Sequence, residues 1–151
     1  TMLAEDKKLV IMARFVPELN DIQKLLEKKN IGYASVRGGI SDRAEEIRKF
    51  QEDADCRVFI GQIAAAGLGI TLTTASTMVF YSLDYSMSNF EQAKARIHRV
   101  SQTENCLYIY LIAKNTVDAK ILRSLRDKVD LARILVDDYR NGIDPFQEKE
   151  D

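Results

Sequence analysis

Read from the amino end, the chain alternates short unbroken apolar runs with longer segments in which apolar residues recur every three or four positions. "KLVIMA" (Lys8 to Ala13) is a continuous apolar run, the pattern of a strand covered on both faces. Pro17 then opens a helix where its missing N–H costs nothing, and Leu19, Ile22, Leu25 and Leu26 supply the buried stripe. "YASV" reads as a second strand. Asp42 and Glu45 are spaced as a capping box ahead of a helix that turns Ala44, Ile47 and Phe50 inward. "CRVFIG", "STMVFYS" and "CLYIYLIA" are the third, fourth and fifth strands. A helix is predicted between the last two, and a longer one from Thr116 carries Val117, Ile121, Leu122, Leu125 and Val129 inward. This alternation predicts an α/β fold, a mostly parallel sheet with helices on both faces. The body is expected over residues 1–139, with a polar, acidic tail over 140–151.

Length and charge narrow the picture. A chain of 151 residues has room for one domain with a sizeable core. Its 22 basic and 23 acidic side chains leave a net charge of −1, so a nucleic-acid partner would have to be met by a local patch. Cys56 and Cys106 each open an apolar run and lack CxxC spacing. They are expected to be buried free thiols, with neither a disulfide framework nor a metal site in the chain. No apolar run approaches the roughly 20 residues of a membrane span. A signal peptide's hydrophobic stretch is also missing, so the expected location is intracellular, in cytoplasm, nucleoid or nucleus, with no membrane partner.

In parallel sheets ligands bind beyond the carboxyl ends of the strands. The loops to search are therefore those holding Arg14, residues 37–41, residues 62–71 and residues 84–89. "GQIAAAGLGITLTTA" is glycine-rich, and such loops let backbone N–H groups approach a phosphate. It fails as a dinucleotide fingerprint because Leu72 stands where a third glycine is needed, and as a Walker loop because no lysine follows. "EQAKARIHRVSQ", Glu91 to Gln102, holds two glutamines, two arginines and the chain's only histidine. On a helix, Gln92, Arg96 and Arg99 fall at i, i+4 and i+7, with Phe90, Ala93, Ile97 and Val100 in a stripe about 100° away. A guanidinium at such a boundary can grip a carboxylate or a phosphate with two parallel hydrogen bonds. A solvated arginine face is the other reading of the same spacing.

Taken together, "AAAGLGITLTTASTMVFYSLDYSMSNFEQAKARIHRVSQ" resembles the paired motifs in the carboxyl-terminal helicase lobe of the Swi/Snf-type ATPases of helicase superfamily two. There a glycine-rich "AGGLGIN" loop, a strand, a "DWNP" turn and "QAxxRxHRxGQ" follow in order. Here they read as Ala65 to Thr71, Asp84 to Met87 and Gln92 to Gln102. "LVIMARFVPELNDIQKLL" and "VRGGISDRAEEIRKFQED" are similar to the segments that open that lobe, so the resemblance spans about Lys8 to Tyr139. Gln62, Ile63 and Ala64 stand where the family has serine, threonine and arginine, and Ser101 where its last motif has glycine.

The resemblance implies a RecA-like, three-layer α/β/α lobe of P-loop NTPase type that lacks its own Walker A loop. ATP and Mg2+ would sit between two such lobes, the first gripping them and this one supplying arginines. Arg99 is the expected finger and Arg96 its partner, with Gln92 orienting them and Gly67 and Gly69 bordering the nucleotide. Contacts to double-stranded DNA are implied for Arg14, Arg37, Gly39, Ser41 and Gln62. His98 matches a family position without being a general base. The chain contains no GxxxxGK[ST] and no acidic DExH-type box. It is therefore expected to be half of a longer protein, following the amino-terminal lobe, inactive alone and binding no cofactor tightly. Three other readings stay open: a lobe of another superfamily-two helicase or restriction-type translocase, a stand-alone Rossmann-like nucleotide-binding module, and a structural domain acting through protein contacts.

Overall fold

Each of the five apolar runs becomes a strand in the computed structural model, which describes residues 7–39, 42–113 and 116–141. The order is β1 (Lys8–Ala13), α1 (Val16–Lys28), β2 (Gly32–Val36), α2 (Arg43–Glu52), β3 (Cys56–Gln62), a 3-10 helix (Ile63–Leu68), β4 (Ala75–Phe80), α3 (Met87–Lys94), β5 (Leu107–Tyr110) and α4 (Val117–Arg140). The strands form one sheet in the order β2-β3-β1-β4-β5, and every described pairing is parallel.

Alternation along each strand feeds two cores. Val10, Met12, Ala34, Val36, Phe59, Met78 and Phe80 face one way, where Phe50 of α2, Phe90 of α3 and Ile121 and Leu125 of α4 join them. Leu9, Ala13, Val58, Ile60 and Val79 face the other way, against Leu19, Ile22 and Leu26 of α1. The α/β/α layering expected from the sequence is thus present, with α1 the one helix on its face among the described residues. Successive apolar residues on a strand point to opposite sides, so a run with no polar break needs both layers.

Three helical stripes are narrower than the sequence reading makes them. Leu25 is 52% exposed, because it lies one residue, about 100°, from Leu26 and so falls on the flank of α1. Ala44 is exposed in α2, and Val117 is 53% exposed in the first turn of α4. The side chain of Val129 and residues 142–151 of the acidic tail lie outside the described set. At the start of α2, the Asp42 carboxylate caps the Glu45 N–H at 3.0 Å. The Glu45 carboxylate turns instead to Arg48, at 2.6 and 2.9 Å, so the capping box is made on one side.

β2 is an edge strand, and α2 lies along it. Glu46 accepts the Ser35 N–H at 2.7 Å, and the Lys49 ammonium donates to the Tyr33 carbonyl at 2.8 Å. Cys56 is a buried free thiol as expected, whereas Cys106 is half-buried, its sulfur 3.7 Å from the Ile97 carbonyl.

Two outcomes follow from this packing. Phe80 is fully buried, stacked on Tyr110 with ring centroids 5.3 Å apart and against Phe90 at 5.0 Å. Phe80→Ala should cost about 3–5 kcal/mol in chemical denaturation. Burial pushes the Cys56 thiol's pKa up. A maleimide reagent should therefore modify Cys106 well before Cys56 in the native state, with the difference abolished in denaturant.

Candidate functional site

β3 and β4 flank β1 and run parallel to it, so the chain leaving the carboxyl end of β3 must travel back to the amino end of β4. The connection is the glycine loop. It begins as the 3-10 helix, which includes Gly67, and ends at Gly69 with φ of +71°. A side chain there would pay the left-handed penalty that glycine escapes. Ile63, Ile70 and Leu72 bury themselves in the larger core, so the loop is fixed to the sheet at both ends.

The arginine segment is laced to the second half of this loop. Asp84 and Ser86 open α3: Asp84 accepts from the Ser86 N–H at 3.0 Å, and the Ser86 hydroxyl accepts from the Asn89 N–H at 3.2 Å. The helix then stops at Lys94, two residues short of the first arginine, contrary to the single helix that the spacing predicts. A loose turn follows, in which Arg96 donates its N–H to Ala93 O and His98 its N–H to Lys94 O. The turn's carbonyls are also met from outside: Leu72 donates its N–H to Arg96 O at 2.9 Å, the Gln102 side chain donates to Ile97 O at 3.0 Å, and the Tyr108 hydroxyl donates to Lys94 O at 3.2 Å. Val100, predicted on the apolar stripe, is consequently fully exposed.

Both arginines meet the loop just after Gly69. Arg96 is 6% exposed, its Nη1 is 3.4 Å from Ile70 O, and its Nε is buried without a hydrogen-bond partner. Burial, and then the Arg99 charge, pull its pKa below the ordinary guanidinium value. Arg99 is exposed and donates from Nη1 to the Thr71 hydroxyl at 3.0 Å and from Nε to Ala95 O at 3.3 Å. Among the described residues neither arginine meets a carboxylate. Gln92 is exposed and its amide turns back to the Ser88 hydroxyl at 3.2 Å, not to the arginines. His98 is exposed as well.

A second group gathers at the carboxyl ends of β1, β2 and β3. Gln62 donates to Arg14 O at 3.3 Å, and its side-chain oxygen lies under Gly38, 4.0 Å from where a Cβ would stand. The Arg14 guanidinium covers the Phe15 ring at 4.9 Å. Arg37 donates to the side-chain oxygens of Asn20 and Gln23, which hold it without neutralising its charge. Gly39 is exposed with φ of +87°, and Ser41 lies outside the described residues. The loop 63–74 runs from this group to the arginines, which lie beside the start of β4.

Sequence reasoning missed the groups that hold these ends in place. Ser82 accepts the Arg14 N–H at 2.7 Å and donates to Glu18 at 2.5 Å, and Glu18 also accepts the Phe15 N–H at 3.2 Å. Ser82 is 68 residues from Arg14 in the chain, so no local spacing signals the pair.

Known proteins are similar to this chain. Residues 1–101 match the family described as the helicase conserved C-terminal domain. The chain belongs to that family. It is 35% identical over 133 residues to the SWI/SNF-related matrix-associated actin-dependent regulator of chromatin subfamily A-like protein 1 of Drosophila melanogaster, covering 87% of this chain and 18% of that protein. It is 30% identical over 149 residues to the chromatin-remodeling ATPase INO80 of Drosophila melanogaster, covering 97% of this chain and 9% of that one. The crystal structure of the C-terminal part of the Fun30 ATPase domain superimposes with a TM-score of 0.75 at 29% identity, covering 79% of this chain and 39% of that chain. The chain thus spans less than a fifth of these two sequence relatives. The Swi/Snf-type recognition and the RecA-like α/β lobe read from the sequence both stand, and of the readings left open this membership selects a helicase lobe. Among the described residues no helix is long and apolar enough to cross a membrane.

Two substitutions separate the two groups. Ser82→Ala removes the partner of a backbone N–H at a site 7% exposed and should cost about 1–3 kcal/mol in denaturation. Arg96→Met replaces a buried, incompletely partnered charge by an apolar chain of similar reach. It should raise the unfolding free energy by on the order of 1 kcal/mol, the sign opposite to an ordinary core mutation.

Proposed function

We propose that this chain is the second motor lobe of an ATP-dependent double-stranded-DNA translocase of Swi/Snf type. The observation that carries the proposal is Arg96: a nearly buried guanidinium with an orphaned Nε, next to a second guanidinium and, among the described residues, without an acid. Two uncompensated positive charges at one loop favour an incoming polyanion, and the planar fork suits phosphate oxygens.

In this reading ATP and Mg2+ lie between the amino-terminal lobe of the same protein and the face carrying Arg96 and Arg99. Exposed Arg99 reaches the transferring phosphoryl group, where spreading charge is stabilised by its guanidinium. Arg96 acts from beneath, fixed by Ile70 O. Gly67 and Gly69 border the nucleotide with backbone only, and Gln92 lies on the same approach. Because the pocket is shared, hydrolysis opens and closes the lobes, and the lobe alone is inactive. Arg14, Arg37, Gly39 and Gln62, with Ser41 beside them in sequence, form the face that follows DNA phosphates. Their place at three neighbouring strand ends supplies the local patch that a net charge of −1 demands. The two sequence relatives named above, one called a regulator of chromatin and one a chromatin-remodeling ATPase, fit such a motor.

The test is ATP turnover by the full-length parent protein with and without duplex DNA. DNA should stimulate turnover, and Arg99→Ala should lower it by about 10³-fold or more. Turnover indifferent to both DNA and the substitution would remove the motor reading.

A further inference from the structure

The Gln102 side chain ties the arginine turn to the glycine loop and to β4, and none of the steps above uses it. Its Nε2 lies 2.7 Å from Ala75 O, 3.0 Å from Ile97 O and 3.3 Å from Thr73 O, and its Oε1 accepts the Glu104 N–H at 3.0 Å. Ala75 is the first residue of β4, Thr73 belongs to the glycine loop, and Ile97 lies between the two arginines. One half-buried amide therefore closes the turn 97–102 on itself and pins it to the sheet. The Ser101 hydroxyl adds a bond to Thr73 Oγ1 at 3.3 Å, and the Gln102 N–H donates to Arg99 O at 2.8 Å, so Arg99 is held from its own backbone.

The alternatives to this clamp are weak. α3 has ended at Lys94, the turn bonds that follow reach no farther than the His98 N–H, and among the described residues the Arg99 guanidinium bonds to one hydroxyl and one carbonyl. A long side chain on an exposed turn samples many rotamers unless its backbone is fixed, and phosphoryl transfer is sensitive to displacements of about 1 Å. Glutamine suits the task because its amide can donate twice and accept at the same time, which neither glutamate nor an aliphatic side chain can do.

Resting on the motor reading above, we infer that Gln102 is a positioning residue for Arg99. It sets where the guanidinium points without touching ATP.

The test uses the full-length parent with Gln102→Ala, Arg99→Ala and both together, followed as DNA-stimulated steady-state and single-turnover ATP hydrolysis. Gln102→Ala should lower kcat by about 10- to 100-fold with little change in KM for ATP, while nucleotide-free binding to duplex DNA is kept. Added to Arg99→Ala, it should cause no further loss, since a residue that acts through Arg99 has nothing left to position. A merely structural role would multiply the two losses, and that result overturns the inference, as does wild-type turnover for Gln102→Ala. If Gln102→Ala loses DNA binding, Gln102→Glu repeats the same measurements, since its carboxylate keeps the length and accepts from Glu104 but offers no donor to the three carbonyls. Wild-type turnover for Arg99→Ala itself would instead remove the motor reading, a different failure from a wild-type Gln102 variant beside a crippled Arg99 variant.

Discussion

The N–H of Leu72 donated to the carbonyl of Arg96 joins the two parts of the chain on which the site depends. One partner belongs to the return path between two parallel strands, the other to a segment that would otherwise continue as helix. The bond holds the turn that follows α3 against the loop, where both guanidinium groups meet residues 70 and 71. The sheet and its two cores supply the platform, and this backbone contact chooses which part of the platform carries charge.

Burying Arg96 is costly, because a charge removed from water is repaid only by partners of good geometry, and this one has a single long bond. The low dielectric that makes the burial costly also strengthens attraction to an arriving anion. Arg99 is exposed and bonds to one hydroxyl and one carbonyl. The pair divides buried charge from exposed charge, and helical spacing alone would have given two equivalent surface residues. The preceding loop is the natural link from this charge to the strand ends where Arg14 and Gln62 meet, since both of its ends are fixed in the core.

Most of the fold was legible because parallel strands covered on both faces leave unbroken apolar runs, and "KLVIMA" and "CRVFIG" became β1 and β3. Helix faces were less legible. Leu25 and Val117 sit beside the buried stripe and not in it, a difference of one residue's rotation that composition cannot resolve. The site was legible as a set of residues and not as a geometry. Arg96, Arg99 and the glycine loop could be read in order along the chain, yet the helix was carried through Val100. The turn that replaces the helix beyond Lys94 is tied by Leu72, Gln102 and Tyr108, partners invisible to any local pattern. Gln62 and Arg14 were named separately, while the bond between them spans 48 residues of chain.

The acid and base that α2 lays along β2 bear on the life of the molecule among its copies. A parallel sheet ends in a row of unpaired backbone groups, and an open row invites a strand from a neighbouring molecule. Here Glu46 occupies the Ser35 N–H and Lys49 the Tyr33 carbonyl, so an invading strand must first evict a carboxylate and an ammonium from bonds they already hold. In a crowded solution those two bonds disfavour edge-to-edge association through β2, three strands away from β4 in the sheet order.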